Sequence, residues 1–316
     1  MRIAVLMDDP HTFNRQKDST IAMIKAANSM GWECDYFTLN DLYCAQGQSF
    51  ANMNRISVNK ESASFWAELT PQGDKPLASY DIILMRKDPP FDMEYIYATY
   101  ALDLAVSHGV LVANRPQSLR DANEKFFTLN FPQCCPETLV SRDVKRLRQF
   151  WEQYHRVIFK PLEGMGGSSV YLVDEQGLNL SVILENLSVK GSVSVMAQQY
   201  IPNIKETGDK RVLLVHGKPV DFGLARIPKK GELRGNLAAG ATGKVVPLNK
   251  RDYWICEQVA PMLLKKGLYF VGLDIIGDYL TEINVTSPTC LQEIERESGL
   301  DIAGDFLQGL ARLVTK

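Results

Sequence analysis

The sequence lacks the features that mark membrane proteins and nucleic-acid-binding proteins. No apolar run approaches the roughly 20 residues that a transmembrane helix needs. The 35 lysines and arginines nearly balance the 37 aspartates and glutamates, so the net charge of -2 attracts neither nucleic acid nor an anionic membrane. The first strand turns acidic at Asp8 and Asp9, unlike a signal peptide. The composition therefore predicts a cytoplasmic protein with no nucleic-acid partner and no membrane partner.

The cysteines fit neither a metal site nor a redox motif. None of the six lies in a CxxC pair, and the adjacent Cys134 and Cys135 are interpreted as ordinary thiols. This pattern is typical of a reducing compartment.

Two common nucleotide-binding motifs are also missing. No GxGxxG follows the first strand, which argues against a dinucleotide site there. The Gly-rich segment between residues 160 and 169 lacks the GxxxxGK[ST] pattern, and a strand rather than a helix is predicted after it. Neither the Rossmann motif nor the Walker A motif therefore explains this chain.

Length and element order predict an α/β protein of two or three domains, since 316 residues can bury a large core. Up to residue 121, strands alternate with helices, as in a parallel sheet covered by helices. After Pro116–Asp121 the strands are joined mainly by turns, which favours an α+β region with mostly antiparallel sheet. The predicted strands are Arg2–Met7, Glu33–Phe37, Asp81–Met85, Val110–Ala113, Val157–Lys160, Ser169–Val173, Ser194–Gln199, Arg211–His216 and Lys218–Ile227, and the main helices are Ile21–Met30 and Met93–His108.

The Gly-rich segment after Lys160 is a candidate phosphate site. Glycines at 164, 166 and 167 let backbone N–H groups approach an anion closely, and the lysine adds a positive charge. A Gly-rich hairpin loop alone is weak evidence, because most such loops are only turns. Together with the carboxylates described below, it favours phosphate binding. Asp209 is a candidate partner for a ribose, and Gln198–Ile201 is interpreted as a hinge between two lobes.

A second Gly-rich stretch, residues 226–244, is too long for a simple connector. Arg226, Arg234 and Lys244 alternate there with glycines and small residues. Long loops in compact domains are usually functional or disordered. We predict a mobile cationic lid that closes over a phosphorylated intermediate.

Residues 270–289 form a predicted hairpin that carries acids where apolar residues are expected. Glu282 and Asn284 leave the same face of the second strand. A three-residue loop centred on Asp278 would place Asp274 opposite Glu282, whereas a two-residue loop would place it on the other face. Two carboxylates and an amide oxygen suit Mg²⁺. The alternative is a solvated edge hairpin, but the flanking runs are too apolar for an exposed edge, and we favour the metal.

Taken together, these motifs resemble the ATP-grasp superfamily and, within it, the prokaryotic glutathione synthetase family. The resemblance runs over essentially the full length, and its most specific stretches are residues 83–92, 114–121, 160–167, 234–240, 271–278 and 281–289. It implies an N-terminal parallel-sheet α/β domain over residues 1–121, followed by an ATP-grasp fold of two α+β lobes over residues 122–200 and 201–316. It further implies ATP, Mg²⁺ or Mn²⁺, and ligation of γ-glutamylcysteine to glycine through an acyl phosphate.

Site residues follow from the resemblance position by position. The resemblance implies that the ATP site comprises Lys125, Lys160, Gly164, Met165, Gly166, Gly167, Gln199, Tyr200, Ile201 and Asp209. The metal ligands would be Asp274, Glu282 and Asn284, and the charge-stabilising arginines would be Arg211, Arg226 and Arg234. The dipeptide would meet Arg86, Ser287, Pro288 and Thr289.

The resemblance leaves two rival functions open. Another ATP-grasp ligase would use the same phosphate apparatus, and a non-enzymatic ATP-binding module would share the fold. Such a module would be expected to lose metal ligands, which this chain retains. The resemblance also implies a homotetramer, and packing of the C-terminal helix around Leu307–Leu313 on the first domain.

Overall fold

The computed structural model describes residues 1–59, 65–164, 166–229, 231–232, 235 and 240–314. Three sheets organise this part of the chain, with seven, four and five strands. No helix among the described residues is long and apolar enough to cross a membrane. The order of one mainly parallel sheet followed by two antiparallel sheets agrees with the predicted α/β domain followed by two α+β lobes.

The first sheet contains the predicted parallel strands and an extension that the sequence analysis missed. Its strands are β1 (Arg2–Leu6), β2 (Glu33–Phe37), β3 (Leu42–Ala45), β4 (Gln48–Val58), β5 (Ala67–Pro76), β6 (Ile82–Met85) and β7 (Leu111–Ala113). β2, β1, β6 and β7 run parallel in that order, while β3, β4 and β5 add an antiparallel edge. β5 escaped prediction because its residues are mostly polar and include Pro71 and Gly73.

Helices cover this sheet and begin at identifiable caps. They are α1 (Ser19–Ser29), α2 (Met93–Ser107) and α3 (Pro116–Asp121). Asp18 caps α1 by accepting a hydrogen bond from Thr20 N at 2.8 Å, and Asp92 caps α2 through Tyr95 N at 2.9 Å. Both caps satisfy N–H groups that the first turn leaves without partners.

The second sheet is small and fully antiparallel. Its strands are β8 (Thr138–Ser141), β9 (Val157–Pro161), β10 (Tyr171–Val173) and β11 (Val195–Gln199), in the order β10-β9-β11-β8. Helices α4 (Val144–Tyr154) and α5 (Leu180–Ser188) cover one face. Leu147, Phe159 and Leu184 are fully buried between the helices and the sheet, and they form a separate core.

The third sheet is also antiparallel and carries most of the candidate site. Its strands are β12 (Asp209–Val215), β13 (Lys218–Ile227), β14 (Thr242–Pro247), β15 (Phe270–Ile276) and β16 (Tyr279–Asn284), in the order β14-β13-β12-β15-β16. Its helices are α6 (Lys250–Lys265), α7 (Leu291–Ser298) and α8 (Ile302–Val314). Phe306 and Leu307 of α8 share a buried core with Ile21 and Ile24 of α1, so the predicted return of the C-terminal helix to the first domain is confirmed.

One buried amide joins the first sheet to the third. Asn114 follows β7, and its Nδ2 donates to Phe270 O and to Val285 O, both at 2.8 Å. Its Oδ1 accepts from Tyr269 N at 2.7 Å and Phe270 N at 3.0 Å. All of the amide's hydrogen-bonding capacity is used in this joint. Asn114 therefore fixes where the third sheet lies against the first.

Candidate active site

In the hairpin β15–β16, Asp274 lies opposite Glu282 as predicted, but the turn and the register differ from the prediction. Ile276 pairs with Tyr279, so the Gly277-Asp278 turn has two residues, and the three-residue loop is wrong. A bulge after Asp274 nevertheless leaves that residue opposite Glu282, because Thr281 is the extra residue. Thr281 Oγ1 donates to Asp274 O at 3.1 Å and stabilises the irregularity. The bulge therefore restores the register that a regular two-residue hairpin would lose.

A cavity of about 350 Å³ lies between the second and third sheets, with the first sheet's β6 end at one side. Most of the predicted site residues line it: Lys125, Lys160, Gly164, Gly166, Gly167, Gln199, Tyr200, Ile201, Asp209, Arg211, Arg226, Glu282, Asn284, Ser287 and Thr289. Arg86, Asp274 and Pro288 lie outside the lining. Met165 and Arg234 lie outside the described residues, as does much of the predicted lid at residues 226–244, so those predictions stand as they were made.

Two buried lysines meet at the centre of the cavity. Lys160 Nζ donates to Gln198 Oε1 at 3.2 Å and to Thr281 O at 3.3 Å. Lys125 Nζ lies 3.0 Å from Glu282 Oε1 and donates to Gly164 O at 2.9 Å. Burial lowers the pKa of Lys160, and the charge of Glu282 opposes that shift. Among the described residues, these two ammonium groups have only one carboxylate, Glu282, at hydrogen-bonding distance, which leaves positive charge available for an anion.

The Gly-rich loop joins β9 to β10 above these lysines. Gly164, Gly166 and Gly167 have φ values of 100°, 67° and 75°, in the left-handed region that favours glycine. A Cβ on Gly164 or Gly166 would meet nothing within 4 Å, so conformation rather than space explains the glycines. The loop reaches Lys125 through the Gly164 carbonyl. Lys125 therefore contacts both the Gly-rich loop of the second sheet, at Gly164, and Glu282 of the third sheet.

Arginines and aspartates form a buried cluster beside Glu282. Arg211 binds Asp274 through Nε at 2.6 Å and Nη2 at 3.1 Å. Arg226 Nη2 lies 3.0 Å from Asp274 Oδ1 and 2.5 Å from Asp209 Oδ2. Burial alone would raise the pKa of Asp274, but the two guanidinium groups hold it well below its ordinary value. Asp274 is therefore an anion that fixes both arginines at the cavity wall.

Asp209 has a different environment from Asp274. Its Oδ1 is buried and has no hydrogen-bond partner among the described residues. Burial raises the pKa of Asp209 to about 7; Arg226 opposes this shift and Asp274 adds to it. The carboxylate borders the cavity and offers an unpaired oxygen to a hydroxyl donor.

The pKa of Asp209 predicts a pH dependence of stability. Because the folded state binds this proton more tightly than the unfolded chain, Asp209 contributes stability below about pH 4 that is lost as the pH rises to about 7. We expect the Asp209→Asn protein to show a flatter dependence of unfolding free energy on pH over this range. The difference in slope cannot exceed about 1.4 kcal/mol per pH unit. Urea titrations without ATP measure it, with exposed Asp305→Asn as control; identical slopes for Asp209→Asn and wild type would contradict the assignment.

Gly272 gives a steric test of the arginine cluster. A Cβ at this position would lie 2.8 Å from Arg211 Cδ and 3.2 Å from Nε. Arg211 cannot move aside without breaking its pair with Asp274, so we expect Gly272→Ala to lower kcat by roughly 10- to 100-fold. In Gly243→Ala the three heavy atoms nearest the new Cβ would all belong to the Leu224 side chain, at 3.3 Å or more, and turnover should stay near wild type. Steady-state kinetics of both variants test this prediction. Equal kcat values for Gly272→Ala and Gly243→Ala would show that the position of Arg211 is unimportant for turnover.

The residues of the hairpin fit a divalent cation in part. Asn284 Nδ2 donates to Gly272 O at 3.1 Å, which leaves its Oδ1 as the free oxygen. Glu282 Oε1 faces Lys125, and both Glu282 and Asn284 border the cavity. A carboxylate and an amide oxygen side by side suit a hard cation such as Mg²⁺. The third predicted ligand, Asp274, instead has its oxygens engaged by arginines. Glu282 and Asn284 are therefore available to a divalent cation, whereas Asp274 is held by Arg211 and Arg226.

The far end of the hairpin meets the first sheet. Arg86 follows β6, and its Nη2 donates to Pro288 O at 3.0 Å. Ser287 Oγ donates to Arg86 O at 3.4 Å. Ser287 and Thr289 face the cavity, whereas Pro288 contributes only its backbone to this junction. The predicted substrate residues are therefore brought together at one end of the cavity.

Sequence reasoning missed Glu124 and Gln198 as side chains of the cavity wall. Glu124 Oε1 accepts hydrogen bonds from Val285 N at 2.8 Å, and from Thr286 N at 3.0 Å and Thr286 Oγ1 at 2.9 Å. Burial raises the pKa of Glu124, and the charge of Glu282 adds to the rise. The sequence offered one clue, the charged pair Glu124-Lys125. In the structure this pair directly precedes a 3₁₀ helix, Phe126–Asn130.

Comparison with known proteins agrees with this geometry. Residues 1–120 match the model of the prokaryotic glutathione synthetase N-terminal domain, and residues 124–299 match that of its ATP-grasp domain. The glutathione synthetase of Pseudomonas putida is 52 % identical over 312 residues, which cover 99 % of this chain and 98 % of that protein. The glutathione synthetase of Escherichia coli (strain K12) is 50 % identical over 314 residues, which cover 99 % of both.

Solved structures share the fold at low identity. D-cycloserine synthetase DcsG superposes with a TM-score of 0.67 at 13 % identity, over 99 % of both chains. The ATP-grasp ligase PsnB complexed with its minimal precursor gives 0.63 at 18 % identity, over 98 % of both chains. The fold and the matched domains thus define an ATP-dependent ligase of the ATP-grasp class, a class that uses ATP and a divalent metal. Within that class, the chain belongs to the prokaryotic glutathione synthetase family.

Proposed function

We propose that this protein is a glutathione synthetase, which joins γ-glutamylcysteine to glycine while cleaving ATP to ADP and phosphate. The observation that carries the proposal is identity of 50 % or more to glutathione synthetases over 99 % of the chain. The cavity supports it, because cations for phosphate occupy its middle and polar side chains from the first sheet and the hairpin occupy one end. ATP and the dipeptide can therefore bind within the same cavity.

ATP would bind with its base against the hinge. Ile158, Tyr200, Ile201, Ile204 and Ile276 give that part of the cavity an apolar lining. The N–H groups of Gln199 and Tyr200 already donate to Glu137 O and Arg156 O, both at 2.9 Å. Ile201 N–H makes no such bond within the described part of the chain, so it is the donor we assign to adenine. Asp209 Oδ1 would accept from a ribose hydroxyl.

The triphosphate would lie over the lysines. Lys125 and Lys160 supply charge, and the N–H groups of Gly166 and Gly167 complete the cradle. Met165 belongs to the same predicted loop. When bound, a divalent cation, Mg²⁺ or Mn²⁺, would neutralise charge on the phosphate oxygens, with Glu282 and Asn284 as its protein ligands and Asp274 as a third if its arginines release it.

The arginines would make the phosphoryl transfer possible. The dipeptide's cysteinyl carboxylate attacks the γ-phosphorus, the bond to the bridging oxygen breaks, and ADP leaves with that electron pair. Two anions must approach each other, so fixed positive charge at that place lowers the barrier. Arg211 and Arg226 are held there by Asp274, and Arg234 is the third arginine we assign. Glycine's amine then attacks the acyl phosphate, and phosphate leaves.

The assay that tests this proposal follows ADP and glutathione together. Purified protein receives ATP, Mg²⁺ and γ-glutamylcysteine, with and without glycine, and products are identified by mass. We expect ADP and glutathione in equal amounts only when glycine is present. ADP formation with a different acceptor in place of glycine would identify a sister ligase. No ADP with any acceptor would identify a binding module without catalysis.

Assembly and location remain part of the proposal. We propose a homotetramer, by resemblance to the family, which sedimentation of the purified protein tests. We propose a cytoplasmic location because all six cysteines are free thiols and four of them are buried.

A further inference from the structure

The cavity ends at an acidic side chain that the proposed chemistry does not use. Asp88 lies two residues beyond Arg86 and borders the cavity in the same region as Ser287 and Thr289. Its carboxylate is half-buried and takes part in no hydrogen bond or ion pair within the described residues. A carboxylate at a cavity wall without a partner is suited to a positively charged ligand group.

The backbone around Asp88 is held firmly. Asp88 N donates to Asp8 Oδ2 at 2.9 Å, and Lys87 Nζ donates to Asp88 O at 2.7 Å. Lys87 Nζ also lies 2.8 Å from Asp8 Oδ1. The neighbouring lysine is thus committed to Asp8, and its charge does not neutralise the Asp88 side chain. The Asp8–Lys87 pair therefore fixes the position of a carboxylate that stays free.

A matching cation lies beside it. Arg86 is 5 % exposed, and its guanidinium donates to Thr20 Oγ1 at 3.2 Å and to Pro288 O at 3.0 Å. No carboxylate lies within 4.0 Å of it in the part of the chain that the structure describes. Burial lowers the pKa of Arg86, while the charges of Asp18 and Asp88 act in the opposite direction. One strand end thus carries a cation and an anion, each without an ion-pair partner.

The other acids of the cavity are already occupied. Glu124 accepts three hydrogen bonds from the hairpin's exit, Glu282 faces Lys125, and Asp209 pairs with Arg226. Among the described residues that border the cavity, Asp88 is the only acid without a protein partner. Any ammonium group of a substrate would therefore be drawn to Asp88 first.

γ-Glutamylcysteine carries such a group at the end away from the reaction. Because its glutamate is linked through the side chain, its α-ammonium and α-carboxylate both remain free. We propose that Asp88 is the specificity-determining residue that binds the α-ammonium group of the γ-glutamyl end. This inference rests on the proposed function and selects the γ-glutamyl linkage over peptides without a free amino-acid head.

The test combines Asp88→Asn with two altered dipeptides. Glutarylcysteine lacks the α-ammonium group, and 4-aminobutyrylcysteine lacks the α-carboxylate. In wild type, loss of the ammonium group should lower kcat/KM by roughly 10- to 100-fold, the range for a charged hydrogen bond. In Asp88→Asn, kcat/KM for γ-glutamylcysteine should fall by a similar factor, and glutarylcysteine should be used about as well as by wild type. The penalty for 4-aminobutyrylcysteine should be unchanged by the substitution.

Three outcomes would overturn the assignment. Asp88→Asn lowering kcat/KM equally for γ-glutamylcysteine and glutarylcysteine would show a positioning role without ammonium recognition. An increase confined to the KM for glycine would place Asp88 at the acceptor amine. Wild-type values in the variant would show no contact at all. A wild-type protein that makes no glutathione would instead overturn the proposed function, and that measurement comes first. Thermal unfolding of the variant checks that its fold is intact.

Discussion

Replacement of Glu282 by glutamine is expected to reduce kcat by roughly 100- to 1000-fold, the usual loss when one charge-stabilising group leaves an active site. Glutamine keeps the size and one oxygen of the side chain but removes its negative charge. Glu282 Oε1 lies 3.0 Å from Lys125 Nζ, and Glu282 borders the cavity together with Asn284. A divalent cation would lose its charged ligand, and Lys125 would lose its carboxylate neighbour.

The same substitution should leave the fold intact. The Glu282 side chain is 22 % exposed, and Lys125 retains its hydrogen bond to Gly164 O. Pairs that water reaches contribute about 1 kcal/mol or less. Glu297→Gln, at an exposed position of α7, is the control and should retain wild-type turnover. The metal assignment is tested by measuring kcat of both variants over a series of Mg²⁺ concentrations. A Glu282→Gln protein with a normal kcat and a normal Mg²⁺ requirement would refute the metal assignment.

Replacement of Arg226 by methionine is expected to lower the free energy of unfolding by about 3–5 kcal/mol, the usual cost of breaking a buried ion pair. Arg226 is 4 % exposed and contacts both Asp209 and Asp274. Asp274 would keep Arg211, but Asp209 would lose its only ion-pair partner among the described residues. Methionine keeps the unbranched apolar part of the side chain, so the loss reflects mainly the missing guanidinium group. Urea unfolding at neutral pH measures it.

A second substitution separates this explanation from simple misfolding. In the Arg226→Met, Asp209→Asn double variant no buried carboxyl is left without its arginine, so part of the lost stability should return. Arg146→Met is the control, because Arg146 pairs at 3.7 Å with Asp143 and both side chains are exposed. Its loss should be about 1 kcal/mol. A double variant less stable than Arg226→Met would show that Asp209 is not the source of the effect.

Local patterns predicted much of this molecule. Glu33–Phe37 and Lys218–Ile227 are strands with the predicted bounds. Strand alternation and caps depend on neighbours a few residues away, so the sequence displays them directly. The positive φ values of the Gly-rich loop follow for the same reason. The resemblance added the family, which the comparisons confirm.

Other features depend on contacts between distant residues. The pairing of Asp274 with Glu282 requires a bulge at Thr281. Hydropathy does not reveal this bulge, because β15 is buried on both faces and its apolar pattern does not fix the register. The anchoring of Asp274 by Arg211 joins positions 63 residues apart. Only packing of β12 against β15 creates that contact.

The sequence by itself determined the parallel strands of the first sheet, most strands that carry the site, and which residue types could bind phosphate and metal. The tertiary structure decided which charges are already neutralised. Asp274 and Glu124 have internal partners, whereas Asp88 and Arg86 have no ion-pair partner among the described residues. The reason is physical: the energy of a charge depends on burial and on partners brought from distant segments, and these exist only after the three sheets have packed.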